Sequence, residues 1–158
     1  MKKGLLVVIT GKSKDITAPA LGTVFRALGR GLRVCLIQFM KEPGNYIDAL
    51  VSQWSNPMLE THTLGNRPDQ GSGAGGQGTD LAREAWQVAG RLVSSGRFQL
   101  VVLDELTNLM KNRGVTIEEV VSFLNDRPVD LHVIVTGHDV PEPLIAAADM
   151  VTEMAEVK

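Results

Sequence analysis

Short apolar runs alternate along the chain with segments in which apolar residues recur at helical spacing. The runs LLVVIT, RVCLIQF, FQLVVLDEL and LHVIVTG are rich in Val, Ile and Leu, which is typical of buried strands. After the first run, apolar residues recur on one face of a predicted helix, at Leu21, Val24, Phe25 and Leu28. Continuous apolar strands separated by amphipathic helices predict an α/β fold, with a mainly parallel sheet and helices on both faces.

Start and stop signals predict the remaining elements. Thr116 and Glu119 form a capping box, in which each side chain bonds to the backbone N–H of the other residue. Thr79 or Asp80 is predicted to cap a long helix, which ends near Gly96. We also predict a helix carrying Ile47, Leu50, Val51 and Trp54, strands over Leu59–Leu64 and MVTEM, and a short helix over PEPLIAAAD. The stretch GNRPDQGSGAGGQG, residues 65–78 with the glycine-rich part Gly71–Gly78, is predicted to be a mobile loop.

The first apolar run leads into the segment TGKSKDITAPALG, which is predicted to be a tight loop and the start of a helix. In P-loop proteins such a segment directs backbone N–H groups at phosphate oxygens. When the pattern G-x-x-x-x-G-K-[ST] is aligned on Thr17, Asp15 takes the place of the second glycine and Ile16 that of the lysine. Gly11, Lys14 and Thr17 remain as candidate nucleotide-binding residues. An ordinary turn between a strand and a helix is the competing interpretation.

Two adjacent acids, Asp104 and Glu105, close the apolar run LVVLDE. Ligands of parallel sheets bind beyond the carboxyl ends of the strands, so these acids and the loop after Gly11 are expected at the same edge. One carboxylate can hold Mg²⁺ and the other can orient a nucleophile or a water. Asp104 and Glu105 are therefore the candidate catalytic residues and, with the Thr17 hydroxyl, the candidate metal ligands. A solvated strand end is the alternative.

The composition describes one globular domain over residues 1–158. With 44% hydrophobic and 22% charged residues, a chain of 158 residues is long enough for one sizeable core. Its net charge of −2 and isoelectric point near 5.9 give no basic footprint, so we expect no nucleic-acid partner. The apolar run near the N-terminus is too short for a signal or a membrane span, so we expect a cytoplasmic protein without a membrane partner.

Residue types that often act as nucleophiles or metal ligands form no recognisable set. Cys35 lies in an apolar run and is predicted to be a buried, inert thiol. His62, His132 and His138 lack the spacing of metal ligands and are predicted to be structural. The segment GSGAGG has the spacing G-x-G-x-x-G, but no strand leads directly into it, which disfavours a dinucleotide site.

Several segments cover nearly the whole chain in a specific order: ALGTVFRALGRGLRVCLIQFMK, EAWQVAG, FQLVVLDEL, GVTIEEVVSFLNDRP, LHVIVTG and ADMVTEMAEVK. In this order they resemble the P-loop type of ATP:corrinoid (cob(I)alamin or cob(I)yrinic acid a,c-diamide) adenosyltransferases. The resemblance implies a three-layer RecA-like P-loop fold, with MgATP and a reduced corrinoid as substrates. It also implies transfer of the 5′-deoxyadenosyl group to Co(I), in cobalamin biosynthesis or salvage. A homodimer is left open.

The chain departs from this family at the phosphate loop, which makes the loop a degenerate Walker A motif. The family loop reads roughly TG[ND]GKGKTTAA, whereas TGKSKDITAPA lacks two glycines and the second lysine. Ile16 cannot donate the charge-assisted hydrogen bond of that lysine, worth about 1.5–3 kcal/mol. Asp15 adds a negative charge beside the phosphates, and Pro19 is predicted to push Ala18 out of the helical region. We therefore expect MgATP to bind with roughly millimolar affinity or weaker.

Two functions from different classes follow. One is a corrinoid adenosyltransferase in which Lys12 or Lys14 replaces the lost lysine, and the other is a non-catalytic relative that binds a ligand or a partner. A P-loop kinase or ATPase fits less well, because its phosphate lysine is missing too. The corrinoid side also differs, since the glycine-rich loop stands where the family has a Phe-Thr-Trp segment and His138 stands where it has Arg.

Overall fold

The computed structural model describes residues 3–13, 15–40, 53, 56–65 and 77–158. Several predictions fall on other residues and so lie outside the described part of the chain. They are Lys14 as a nucleotide-binding residue, the helix through Ile47 and Trp54, and residues 66–76 of the predicted mobile loop. The last two residues of that loop, Gln77 and Gly78, are described and belong to a helix.

Six parallel strands form one sheet. The strands are β1 (Leu6–Gly11), β2 (Val34–Phe39), β3 (Leu59–Leu64), β4 (Leu100–Asp104), β5 (His132–Thr136) and β6 (Met150–Met154). Their order across the sheet is β3-β2-β4-β5-β1-β6, and every neighbouring pair is parallel. The predicted parallel sheet is confirmed, including the less apolar strands β3 and β6.

Five helices are described: α1 (Ala18–Gly29), α2 (Gln77–Val93), α3 (Thr107–Lys111), α4 (Ile117–Asn125) and α5 (Glu142–Ala147). The capping box of Thr116 and Glu119 at the start of α4 is confirmed. The predicted cap of α2 at Thr79 or Asp80 is wrong, because that helix already begins at Gln77. The sequence pattern missed α3, which is too short to show a helical period. None of the described helices combines the length and the apolar character that a membrane crossing requires.

Each face of the sheet has its own apolar core, which confirms helices on both faces. One core joins α1 to side chains of β1, β2, β4 and β5, and the other joins the opposite side chains of these strands to α2, α3, α4 and α5. In the predicted stripe of α1, Leu21 and Val24 are buried, but Phe25 is 52% exposed. The buried stripe of α1 is therefore narrower than predicted.

The single cysteine, Cys35, is fully buried in the core that faces α2 to α5. Burial raises the pKa of its thiol to about 12, and the nearby charge of Glu60 acts in the same direction. The prediction of a buried thiol is confirmed. Because the thiolate is the reactive form of cysteine, a thiol with this pKa is a poor nucleophile at neutral pH.

Candidate active site

Neighbouring strands β1 and β5 lead the chain to opposite faces of the sheet. After β1 the chain enters α1, which packs in one core, and after β5 it enters α5, whose Leu144 lies in the other core. Ligands of parallel α/β sheets bind beyond the carboxyl ends of strands at such a switch point. The switch point here lies between residues 11–17, which follow β1, and residues 136–138, which follow β5.

A row of polar side chains crosses the ends of three neighbouring strands on the α1 face. Among the side chains on the α1 face, Gln38 is the last in β2, Asp104 the last in β4 and Thr136 the last in β5. All three are buried. Because strand side chains alternate between faces, each polar residue lies on the same face as the apolar residue two positions earlier. Those apolar residues are Leu36, Val102 and Ile134, all in the core beneath α1.

The carboxylate of Asp104 is the centre of this row. Its Oδ1 accepts hydrogen bonds from the hydroxyls of Thr17, at 2.8 Å, and Thr136, at 2.7 Å. Its Oδ2 accepts a longer bond of 3.4 Å from Nε2 of Gln38. The side chain is fully buried, and these donors replace the water that a buried carboxylate has lost. The structure thus brings the predicted site residues Thr17 and Asp104 into direct contact.

The spacing of these two oxygens suits a magnesium ion. Mg²⁺ binds oxygens at 2.0–2.1 Å in octahedral geometry, so adjacent ligands lie about 2.9 Å apart. Thr17 Oγ1 and Asp104 Oδ1 are separated by 2.8 Å, which matches one edge of such an octahedron. Among the described residues, no group of three or more His, Cys, Asp or Glu side chains could hold a metal. Mg²⁺ bound with a nucleotide is usually held by one or two side chains together with substrate phosphates and water.

The loop before α1 is closed by its own side chains. Oδ1 of Asp15 accepts a hydrogen bond from the backbone N–H of Ala18 at 3.2 Å, and the N–H of Asp15 donates to Oγ of Ser13 at 3.4 Å. A carboxylate at the N-terminus of a helix satisfies a free N–H and interacts favourably with the helix dipole. Asp15 therefore lies where a bound anion would bind. The side chain of Ile16 is 1% exposed, so the residue in the lysine position points into the protein.

The predicted effect of Pro19 is wrong. Ala18 is the first residue of α1, and Thr17 before it already has helical dihedral angles, φ −79 and ψ −30. Pro19 lies in the first turn of the helix, where its missing N–H has no partner within the helix to lose. The backbone of the helix start is therefore intact, and the loop differs from the family pattern through its side chains.

Gly11 matches the first glycine of the family loop, and its position requires glycine. Its φ is +133°, a value that side-chain-bearing residues rarely adopt, and a Cβ at this position would overlap the backbone carbonyl of Met154 in β6. The neighbouring strand therefore approaches the backbone at the first residue of the loop. Conformation and space both select glycine here.

Replacing Gly11 by Ala should lower the free energy of unfolding by about 2–3 kcal/mol, because it adds a strained φ and a clash with β6. Urea unfolding followed by circular dichroism measures this change. Gly22→Ala is a matched control: Gly22 lies in α1, and no heavy atom lies within 4 Å of the added Cβ. The control should be unchanged or slightly more stable, by up to about 1 kcal/mol. Equal stability of Gly11→Ala and the wild type would contradict this account.

The side chain of Glu105, the second predicted acid, approaches His138. Its backbone φ is +59°, and its N–H donates to Oγ1 of Thr136 at 3.0 Å. Its Oε1 lies 3.9 Å from Nε2 of His138, whose Nδ1 is 3.0 Å from the backbone oxygen of Gly11. The structure thus links Glu105 to the loop through His138. Its predicted roles in catalysis and metal binding stay predictions.

The other two histidines make contacts away from this edge. Nδ1 of His132 accepts the backbone N–H of Leu5 at 3.1 Å, at the opposite end of the sheet. Nε2 of His62 lies 2.8 Å from Oε1 of Glu60 on β3. These contacts fit the predicted structural roles of both residues. His138 differs from them, because it lies at the switch point.

Sequence reasoning missed Gln38, Thr136 and the role of His138 in the geometry of this edge. A signal for the first two exists: each polar residue ends an apolar strand two positions after the last core residue of the α1 face. Using that signal also requires knowing that β2, β4 and β5 are neighbours.

Comparison with known proteins identifies the family. The family described as ATP:corrinoid adenosyltransferase BtuR/CobO/CobP matches residues 2–158. This chain belongs to that family. A corrinoid adenosyltransferase of Escherichia coli strain K12 is 32% identical over 173 residues, covering 99% of this chain and 79% of the relative. A corrinoid adenosyltransferase of Pseudomonas aeruginosa is also 32% identical, covering 99% of this chain and 77% of the relative.

Solved structures with the same fold are more distant in sequence. The flagellar accessory protein FlaH of Methanocaldococcus jannaschii has a TM-score of 0.63 at 13% identity, over 97% of this chain and 72% of its own. The ATPase EscN of an enteropathogenic E. coli type III secretion system has a TM-score of 0.62 at 14% identity, over 96% of this chain and 43% of its own. These similarities confirm the predicted RecA-like α/β fold of this corrinoid adenosyltransferase family member.

Proposed function

We propose that this family member transfers the 5′-deoxyadenosyl group of MgATP to Co(I) of a reduced corrinoid, releasing triphosphate. Membership of the corrinoid adenosyltransferase family supports the reaction class. The observation that supports the site is the contact of 2.8 Å between the Thr17 hydroxyl and the Asp104 carboxylate, at the end of the loop. In this proposal the nucleotide and the corrinoid are the binding partners. The reaction takes place in the cytoplasm and requires neither nucleic acid nor a membrane.

The residues of the site have separate roles in this proposal. Thr17 and Asp104 would hold the Mg²⁺ of MgATP, because their oxygens have the spacing of adjacent magnesium ligands, and the ion would supply positive charge against the phosphates. The backbone N–H groups after Gly11 and at the start of α1 bind phosphate oxygens. Glu105 orients a water or a reacting group near Gly11, and Thr136 holds the Asp104 carboxylate in place.

MgATP binds weakly in this proposal, because the triphosphate competes with Asp15 for the start of α1. The carboxylate of Asp15 already accepts the N–H of Ala18, so a phosphate oxygen must displace it. Two negative charges about 5 Å apart repel by ~3 kcal/mol at an effective dielectric constant near 20. Ile16 adds no compensating charge. Lys12, next to Gly11, is exposed to solvent. A dissociation constant of roughly millimolar or weaker follows.

The closed loop also favours a second function, in which the chain keeps the fold as a non-catalytic binding module. Asp15 satisfies the helix start, and the buried Ile16 fills the position of the phosphate lysine. A domain that binds a partner instead of ATP needs no free phosphate loop. The family fold would then serve as a scaffold for another surface.

Calorimetric titration with MgATP separates these two functions. The adenosyltransferase proposal predicts saturable binding with a dissociation constant of roughly millimolar, weakened further when EDTA removes the magnesium. The binding-module alternative predicts no saturable heat for MgATP. A folded protein that binds ATP equally well with and without magnesium would contradict the proposed metal site of Thr17 and Asp104.

A further inference from the structure

The segment after β5 is bonded along the last residues of β1. The N–H of Gly137 donates to the carbonyl of Ile9 at 3.2 Å, and the N–H of Val140 donates to Oγ1 of Thr10 at 3.5 Å. Between these two bonds, Nδ1 of His138 lies 3.0 Å from the carbonyl oxygen of Gly11. Bonds on both sides of His138 fix its backbone against β1. Its ring therefore approaches the first residue of the phosphate loop from a fixed position.

The chemistry of the contact fixes the proton on His138. A carbonyl oxygen only accepts hydrogen bonds, so Nδ1 must carry the hydrogen that bonds to Gly11. In the neutral ring Nε2 is then the nitrogen without a hydrogen, and it faces the Glu105 carboxylate at 3.9 Å. The side chain is 33% exposed, so water also reaches the ring.

Holding the Gly11 carbonyl also sets the direction of the next N–H group. In a planar trans peptide the C=O and the following N–H point in opposite directions. A Gly11 carbonyl bonded to His138 therefore turns the N–H of Lys12 away from His138. This peptide is turned by ψ of Gly11 and φ of Lys12, and glycine restricts its own ψ less than other residues do, so a bond to the Gly11 carbonyl helps to select one orientation.

We propose that His138 is a positioning residue: through its Nδ1–H it fixes the peptide between Gly11 and Lys12, so that the Lys12 N–H is available to an anion in the loop. This inference deepens the proposed function and rests on it for the identity of the anion, a triphosphate. The orientation of the peptide itself rests only on the contact of His138 with Gly11.

Two substitutions separate the contact with Gly11 from the contact with Glu105. In His138→Asn the side-chain amide nitrogen lies the same number of bonds from Cα as Nδ1, so the bond to Gly11 can form. In His138→Gln the amide nitrogen reaches further, toward Glu105, and the bond to Gly11 is lost. Both variants are neutral and polar, so if His138 had a merely structural role, the two substitutions should have the same effect on the loop and on binding.

The experiment uses the full chain labelled with ¹⁵N. In alkaline buffer, imidazole nitrogen shifts of the wild type should show the Nδ1–H tautomer of His138. The Lys12 amide resonance should stay near its wild-type position in His138→Asn and move in His138→Gln. Titration with magnesium and inorganic triphosphate should give an affinity within about threefold of the wild type for Asn and about tenfold weaker for Gln, the effect of one hydrogen bond.

Three results would overturn the inference about His138. An Nε2–H tautomer would show that His138 does not donate to Gly11. Equal Lys12 shifts, or equal triphosphate affinities, in the Asn and Gln variants would show that the contact with Gly11 does not position the loop. If triphosphate binds to none of the proteins, the proposed nucleotide site fails, and the tautomer and the Lys12 resonance still decide whether His138 fixes the peptide.

Discussion

Replacing Asp15 by Gly together with Ile16 by Lys should tighten MgATP binding by about 10³-fold. The first change removes the carboxylate that accepts the N–H of Ala18, together with a repulsion of ~3 kcal/mol toward phosphate. The second change restores a charged donor, which contributes about 1.5–3 kcal/mol to a hydrogen bond with phosphate. Calorimetric titration of the wild type and the double variant measures the difference.

Each single change should give less than half of the combined gain in binding free energy. A lysine introduced next to Asp15 would pair partly with that carboxylate, so the two effects depend on each other. The wild-type Ile16 side chain is 1% exposed, so the lysine must turn outward to keep its ammonium group solvated. Ile16→Met is a matched control, because it changes the shape of the buried side chain without adding a charge.

Thermal unfolding is needed beside this titration, because the double variant loses the bond between Asp15 and Ala18. Loss of a helix cap costs about 0.5–2 kcal/mol, and bound MgATP should restore stability in the double variant. A folded double variant without a gain in affinity would contradict the account of the loop. The binding-module function would then be the better one.

Replacing Asp104 by Ala should abolish magnesium-dependent binding and lower stability as well. The change removes the candidate metal ligand and leaves the Thr17 and Thr136 hydroxyls without their shared acceptor in a buried site. Each buried polar group left without a partner costs about 1–3 kcal/mol. Urea unfolding measures the loss of stability, and titration with MgATP in magnesium and in EDTA measures the loss of metal-dependent binding.

Asp104→Asn separates the charge from the packing. The amide keeps the volume and one acceptor oxygen for the two hydroxyls, so we expect a stability loss of about 1 kcal/mol, with magnesium-dependent binding still lost. Asp126→Asn is the matched control, because Asp126 is an exposed carboxylate at the end of α4 and lies in none of the site contacts. An Asp104→Asn variant that binds MgATP as the wild type does would contradict the role of this carboxylate.

The strands and most helices of this fold follow from local patterns. Continuous apolar runs predicted β1, β2, β4 and β5, because strands buried on both faces need apolar residues throughout. The capping box of Thr116 and Glu119 was predictable because its partners are three residues apart. The apolar stripe of α1 was predicted too wide at Phe25, because a periodic pattern does not say how far the sheet extends beneath a helix.

Residues of the site could be predicted only where the residue type at the end of a single strand or loop already indicates a function. Asp104 and Thr17 belong to that class, and the structure places them in contact. Gln38 and Thr136 do not, because their contacts with Asp104 join strands that are distant in sequence. For Asp15, the residue type predicted repulsion of phosphate, but the bond to the start of α1 depends on the loop conformation.

The most direct test of the proposed function is a reaction of the wild-type protein with a chemically reduced corrinoid and MgATP well above millimolar. We predict that an adenosylated corrinoid forms together with one equivalent of triphosphate, both identified by mass spectrometry, and that Asp104→Ala forms neither. A wild-type protein that binds MgATP under these conditions but forms no adenosylated corrinoid would contradict it.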